Sequence, residues 1–274
     1  MNTGSEKYLA LSGGIGGAKL ALGLQHCLDK SQLSIVANTG DDFEHLGLAI
    51  SPDIDTLLYT LADLNNQELG WGRRDESWNF AEASKQIGLD TWFSLGDRDL
   101  AIHLYRSQRL REGANLSQIV EELCNRFKIQ ANIIPMSDSP VRTMVDTNIG
   151  TLPFQEYFVK NRCKPIVSEI RFDGIEKARP AQAFLECLDD SNLSAIIICP
   201  SNPFLSVNPI LSLPSLKEKI KAVGKPVIVV SPIVQGNSIK GPTAKLMQEL
   251  NLECSVETIA NLYKDISSAI VIDN

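Results

Sequence analysis

The sequence predicts a doubly wound, Rossmann-like α/β fold: a mainly parallel sheet, with a mostly helical lobe inserted at about residues 65–128 of one domain spanning 1–274. Three observations carry this. Residues 9–24 read as an apolar strand, a break of four glycines within five residues (Gly13, Gly14, Gly16 and Gly17), and an apolar segment able to form a helix. Leu33-Ser-Ile-Val-Ala37 then completes a strand-helix-strand unit of about thirty residues, the usual opening of such a sheet. From Ala178 onward, compact β-type runs again alternate with helical ones.

Taken in order, the glycine break comes first. Glycines permit positive φ and leave backbone bare, and the N–H groups of the following helix point into the same space, so the stretch reads as an anion cradle. Its spacing fits neither common nucleotide fingerprint. Ala18 stands where a Walker loop has Gly, Leu20 replaces its Ser or Thr, and a Gly-x-Gly-x-x-Gly frame begun at Gly14 meets Lys19. Two readings stay open, a phosphorylated ligand or a tight strand-to-helix turn. The second strand runs into Asn38-Thr-Gly-Asp-Asp42, at the sheet edge where open parallel sheets bind ligands. Next, Ser51 is placed as an N-cap, Pro52 in the first helical turn, and Asp53 and Asp55 where carboxylates complement the helix dipole.

Those two aspartates either decorate a helix start or belong to a site. With Asp41 and Asp42 they make four carboxylates in fifteen residues beside the proposed phosphate cradle. Unpaired, they would repel a phosphate; a hard divalent cation such as Mg2+ removes the contradiction, because it takes one or two carboxylates plus phosphate oxygens and water. The three histidines, His26, His45 and His103, are dispersed, which argues against a histidine-rich zinc site.

The expected lobe holds all three tryptophans, Trp71, Trp78 and Trp92, as either its core or a stacking surface for a flat ligand. Arg73, Arg74 and Arg98 either serve phosphates or lie solvated on the surface. Beta character returns at 131–136, followed by a Ser137-Asp-Ser-Pro turn. Short strands are expected around 143–146, 152–159 and 165–172, a helix at 178–188, and a strand at 195–199 that ends in Pro200-Ser-Asn-Pro203. A helix from about Ser215, a strand at 226–230, a helix over 243–250 opened by Lys240-Gly-Pro, and a strand at 269–272 complete the pattern.

Composition narrows the function. A net charge of −7 argues against a nucleic-acid groove, and no apolar run is long enough for a membrane span. The polar first residues lack a signal-peptide core, so a cytoplasmic protein is expected. The six cysteines are scattered without a Cys-x-x-Cys pair and read as free thiols.

The motifs Ser-Gly-Gly-Ile-Gly-Gly-Ala-Lys19, Asn-Thr-Gly-Asp-Asp42, Ile-Ser-Pro-Asp-Ile-Asp-Thr56, Gly-Trp-Gly72 and Leu-Gly-Asp-Arg-Asp99 are followed by Pro-Met-Ser-Asp138, Phe-Gln-Glu-Tyr-Phe158, Pro-Ser-Asn-Pro203 and Ser-Pro-Ile233. In this order they resemble the 2-phospho-L-lactate transferase family of deazaflavin coenzyme F-420 biosynthesis, over essentially the whole chain. The resemblance implies transfer of a phosphorylated three-carbon acid from a guanosine diphosphate ester to the ribityl 5'-hydroxyl of the deazaflavin Fo, with release of GMP, dependence on Mg2+, and a homodimer. It implies Asp41 and Asp55 as catalytic, Asp55 at the Fo hydroxyl, and Asp41, Asp42 and Asp53 as metal ligands. Substrate contacts are then expected from Gly13, Gly14, Gly16, Gly17, Lys19, Asn38, Asp55, Trp71, Trp92, Arg98, Met136, Ser137, Asp138, Ser201 and Asn202. The chain departs from the family pattern at Ile15, Ser94 and Ser139, and Ser94 stands where some relatives carry a basic residue near Fo. The rival expectations are a nucleotide-sugar-binding regulator of the related gluconeogenesis-factor type, which binds without turnover, and a kinase-like or NTP-hydrolysing enzyme, which the failed Walker spacing disfavours.

Overall fold

Short apolar runs without polar interruption build the centre of the molecule. The structure is a computed structural model that describes residues 6–68, 70–238 and 241–273; Lys240 and residues 1–5 lie outside the described residues. In chain order the elements are β1 (Lys7–Ser12), α1 (Gly14–Cys27), β2 (Leu33–Ala37), β3 (Phe43–His45), β4 (Leu48–Ile50), α2 (Pro52–Leu61), α3 (Asn79–Gln86), α4 (Asp97–Arg111), α5 (Leu116–Phe127) and β5 (Asn132–Pro135). There follow β6 (Arg142–Thr147), β7 (Gly150–Pro153), β8 (Val167–Asp173), α6 (Gln182–Asp189), β9 (Leu193–Ile198), α7 (Asn208–Leu211), α8 (Leu216–Val223) and β10 (Val227–Val230). The chain closes with β11 (Ile233–Val234), β12 (Asn237–Ser238), α9 (Thr243–Glu249), α10 (Val256–Tyr263) and β13 (Ala269–Val271). Single π-helical turns occupy Glu156–Lys160 and Pro203–Val207.

Six strands form one parallel sheet in the order β13-β10-β9-β1-β2-β5. Alternate residues of each strand face opposite helical layers. Leu9, Leu11, Val36, Ile196 and Val229 pack with α6, α8 and α10, while Ala10, Ile35, Ala37 and Ile133 pack with α1, α2 and α5. This two-sided burial is why the strands read as continuous apolar runs. From β1 the chain builds outward through β2 and β5, then returns to β9 on the other side. The order therefore reverses between β1 and β9, the place where open sheets of this kind form a crevice.

The stretch expected as a separate lobe contains α3, α4 and α5, and they do not behave alike. Helix α5 contributes Ile119, Val120 and Leu123 to the layer over the sheet, and α4 joins it through Ile102. The part that stands apart is the β3–β4 hairpin with the segment around Phe80, Phe93, Leu95 and Leu100. Beyond β5, the antiparallel sheet β7-β6-β8 forms a satellite core. The strand expected over 152–159 stops at Pro153. Phe154 and Tyr157, three residues apart, both bury into that satellite core, which a helical turn achieves and a strand does not. The helix expected from 178 begins only at Gln182, just past Pro180. All six cysteines are free. No described helix is long and apolar enough to cross a membrane.

Candidate active site

Helix α1 starts at Gly14, so three of the four glycines lie inside its first turn and only Gly13 precedes it, in extended conformation. Gly14 has φ +62°, which a side chain would strain. Gly16 is exposed and Gly14 half-buried, while the side of the loop where a side chain would stand is closely packed. A Cβ on Gly13 would come within 2.7 Å of Asp53 Oδ2, one on Gly16 would run into the Pro200 carbonyl oxygen, and one on Gly17 would meet Ser12 and Ser201. The glycines let the start of α1 sit against the loop leaving β9. Ser201 clamps the two together, donating to the Gly13 carbonyl at 2.6 Å and accepting from its N–H at 3.1 Å.

The N–H of Gly14 donates to Asp53 Oδ1 at 2.7 Å. A carboxylate from α2 therefore occupies part of the helix terminus that the sequence offered to a phosphate, and its charge complements the same dipole. Asp53 Oδ2 accepts from Asn38 Nδ2 at 2.9 Å, and Asn38 Oδ1 accepts from Gly40 N–H at 2.8 Å. Asn38 thus fixes Asp53 and the turn after β2 and has little left for a substrate. Ser51 stands at the N-cap of α2 but does not cap it; its hydroxyl donates to Asp42 Oδ2 at 2.7 Å.

Three buried acids converge here. Burial, and then the neighbouring Asp53 charge, push the Asp41 carboxyl well up. Burial lifts Asp42 to about 7, against the pull of the Ser51 hydroxyl and the Arg142 and Arg106 charges. Asp53 is lifted to about 6 by burial, against its bonds to Asn38 and Gly14. Asp41 Oδ1 and Asp42 Oδ1 are buried without a hydrogen-bond partner, as are the hydroxyls of Thr39 and Thr143 nearby. Unpartnered buried oxygens on mutually repelling carboxylates are what a divalent cation relieves. Asp41 and Asp53 could hold such an ion together with water and phosphate, since the three acids do not close a cage by themselves. Among the described residues the trio whose ligand atoms lie within 4.8 Å of one another is Asp55, Asp99 and His103. There the Arg106 guanidinium already supplies the positive charge.

Acids raised by burial give a defined pH dependence. Between the ordinary carboxylate range and about pH 7 the folded protein holds protons that the unfolded chain has released, so stability falls as pH rises through that window. Asp42→Asn removes one such cost. In EDTA it is expected to melt above the parent, by less at pH 5 than at pH 8.5, where the difference is on the order of a few kcal/mol. Thermal melts at the two pH values check this.

Several expected contacts are turned elsewhere. Asp55 lies on the far side of α2 from Asp53, and its carboxylate is gripped by both Arg106 nitrogens, so the hydroxyl contact expected of it is corrected to a buried ion pair. Met136 is fully buried in the core and offers no ligand surface. Ser137 donates to the Arg179 carbonyl at 2.6 Å. Asp138 caps α5, accepting from Ser117 N–H at 2.8 Å and its hydroxyl at 3.0 Å. Asn202 accepts from the N–H groups of Phe204 and Leu205 and so caps the second π turn. Lys19 is exposed on α1. Trp92 packs with Phe43, His45 and Phe93 under Lys160, apart from Trp71. Trp71 and Trp78, each partly exposed, line a pocket of about 170 Å3 with Arg73, Glu76, Ser94 and Asp99. Arg98 sits beside that pocket, 4.0 Å from Asp75.

Sequence reasoning missed Arg106 and Arg142. Arg106 is completely buried. Its one sequence signal is the spacing Asp99, His103, Arg106, which places three polar side chains on one face of α4.

The model of the family described as 2-phospho-L-lactate transferase CofD matches residues 9–274. A 2-phospho-L-lactate transferase of Methanosarcina mazei is 37% identical over 265 residues, covering 97% of this chain and 86% of the relative. That of Methanocaldococcus jannaschii is 38% identical, covering 96% of this chain and 85% of the relative. A phosphoenolpyruvate transferase of Kitasatospora aureofaciens is 37% identical, covering 94% and 81%. Among solved structures, protein BH3568 of Bacillus halodurans superposes with TM-score 0.62 at 16% identity, over 98% of this chain and 80% of that one, a likeness of fold. With a family model matched from the first sheet strand to the last residue, and relatives this similar along their length, the chain belongs to the 2-phospho-L-lactate transferase CofD family.

Proposed function

We propose that the chain joins the phosphorylated three-carbon acid of a guanosine diphosphate ester to the 5'-hydroxyl of Fo, with Mg2+ at Asp41 and Asp53. Its family makes it a transferase of coenzyme F-420 biosynthesis. The observation that supports the site-level reading is the unpartnered Asp41 Oδ1 beside the anchored Asp53, at the strand-end edge next to α1.

In the reaction the hydroxyl oxygen forms a bond to the phosphorus that carries the acid. The bond from that phosphorus to the bridging oxygen of GMP breaks, its electron pair leaves with GMP, and the hydroxyl proton ends on the departing GMP phosphate or in solvent. Such a step asks for alignment and charge neutralisation more than covalent help. A bound Mg2+ supplies charge neutralisation at the phosphate oxygens. Asp53, held by Gly14 and Asn38, keeps a fixed direction. Asp41 takes the hydroxyl hydrogen bond and orients the attacking oxygen. Arg142, whose charge reaches Asp42, offers a cation to the phosphates. The indole-lined pocket with Trp71 and Trp78 suits the flat deazaflavin ring.

Relatives named for phosphoenolpyruvate and for 2-phospho-L-lactate are equally similar to this chain, so identity does not choose the acid. Incubation of the purified protein with Fo, Mg2+ and each of the phospholactyl, phosphoenolpyruvyl and phosphoglyceryl guanylyl esters is expected to yield one dominant deazaflavin phosphodiester and GMP by mass spectrometry. No product from any ester sinks the reading, and product undiminished in EDTA removes the metal from it. The homodimer and the cytoplasmic location stay part of this proposal on the family resemblance alone.

A further inference from the structure

The buried ion pair behind α2 runs between the two halves of the site. Arg106 is fully buried, reaching from α4 to Asp55 on α2 through both terminal nitrogens and donating to the Ala49 carbonyl of β4 at 3.1 Å. Its NH1 lies 3.3 Å from His103 Nδ1, and His103 Nε2 lies 3.1 Å from Asp99 Oδ2. Asp99 accepts from the Tyr59 hydroxyl on α2 and lines the indole pocket. Its own N–H donates to Glu76 Oε1 at 2.8 Å, on the same pocket wall.

Helix α2 is thus held from two sides in its first turn. Asp53 faces Gly14 and Asn38, and Asp55 faces Arg106. Successive helical residues two apart point to nearly opposite sides, so a bidentate grip on Asp55 fixes the rotation and height at which Asp53 is presented. A buried pair of this kind contributes little net stability compared with apolar replacements, while it does specify geometry.

We propose that Arg106 is a positioning residue for the transfer: through Asp55 it sets the first turn of α2 so that Asp53 meets Gly14 and Asn38, and through His103 and Asp99 it ties that turn to the wall of the indole-lined pocket. This rests on the transfer reaction proposed above. It predicts that geometry and stability separate when the pair is removed as a pair.

The test compares the parent with Arg106→Met/Asp55→Asn and with Arg106→Lys. Removing both partners leaves neither member of the pair as a lone buried charge, while Arg142 still faces Asp42 and His103 still faces Asp99, so the double variant is expected to fold and to melt within a few degrees of the parent. Its kcat is expected to fall about thirtyfold or more with KM for the guanylyl ester changed less than threefold. The Gly14 amide, followed by NMR hydrogen exchange without substrates or metal, is expected to exchange at least tenfold faster. Arg106→Lys, which keeps the charge and loses the fork, is expected to recover part of kcat. A purely structural pair would return both stability and kcat in the double variant, and that result overturns the proposal. So does a loss of kcat with Gly14 protection unchanged, or lost protection with kcat unchanged. Should the double variant not fold, Arg106→Lys carries the same two readouts, and parental values in both overturn the proposal. A parent that makes no phosphodiester marks failure of the reaction reading instead.

Discussion

Asp53→Asn is expected to lower kcat/KM at least a hundredfold while moving the melting temperature by only a few degrees. The carboxylate has a defined partner on each oxygen, the Gly14 N–H at 2.7 Å and Asn38 Nδ2 at 2.9 Å. An asparagine carbonyl keeps one of these bonds, and its amide nitrogen then faces a second donor, because Asn38 Oδ1 is already bound to Gly40 N–H. Losing one hydrogen bond to a buried donor costs about 1–3 kcal/mol. Against that, the substitution removes a buried acid that burial holds at about 6, a relief that grows from the ordinary carboxylate range up to about pH 6 and is fully present above it. The two changes oppose each other in stability, whereas in activity nothing replaces the lost charge. Removing one preorganised electrostatic contact from a site of this kind typically costs on the order of 3–4 kcal/mol of barrier. Steady-state kinetics at pH 8 with saturating Mg2+, beside a thermal melt, measures both. Activity within tenfold of the parent would return Asp53 to the role of a helix-start carboxylate. The matching Asp41→Asn change serves as a comparison, since Asp41 Oδ1 has no protein partner to lose.

The central sheet was legible because strands buried on both faces have nowhere to place a polar residue. Leu9-Ala-Leu11 and Ala195-Ile-Ile-Ile198 could be recognised without knowing their neighbours. The site was legible only in part. Asn38, Asp41, Asp42 and Asp53 gather as expected because each lies at the exit of a strand or the entry of the next helix, on one edge of the sheet. What local sequence does not carry is the partner across the fold. Asp53 and Asp55 are equal as helix-start acids, and they part only because α4 brings Arg106 to one side and α1 brings Gly14 to the other. Asp138 reads as a turn residue after β5, yet it caps α5, which precedes that strand in the chain. Phe154 to Phe158 carries its apolar residues at 154, 157 and 158, a helical rather than an alternating spacing, and the satellite core that Phe154 and Tyr157 fill is what that turn serves. In each case residue type announced a polar or apolar need and topology chose what met it.

The glycines give the most direct contrast between what a residue permits and what the fold uses. Gly16→Ala is expected to destabilise the protein by about 1–3 kcal/mol, the usual range for forcing extra volume into a packed site. Both residues lie in α1, where alanine is favoured over glycine by roughly 1 kcal/mol when nothing obstructs it. At Gly23 a new Cβ meets nothing within 4 Å, so Gly23→Ala should raise the melting temperature. At Gly16 the obstacle is the backbone carbonyl of Pro200, which cannot rotate away as a side chain would. Relief requires the loop 199–203 to move, and that loop carries Ser201, whose two bonds clamp Gly13. Disturbing the clamp shifts the start of α1 relative to Asp53, so the loss of turnover should exceed what the lower stability alone explains at the assay temperature. Thermal melts of the two variants, with kinetics well below both transitions, separate the effects. Equal melting shifts at the two positions would mean that the glycines answer helix propensity alone and that the approach of Pro200 to α1 has no consequence for the site.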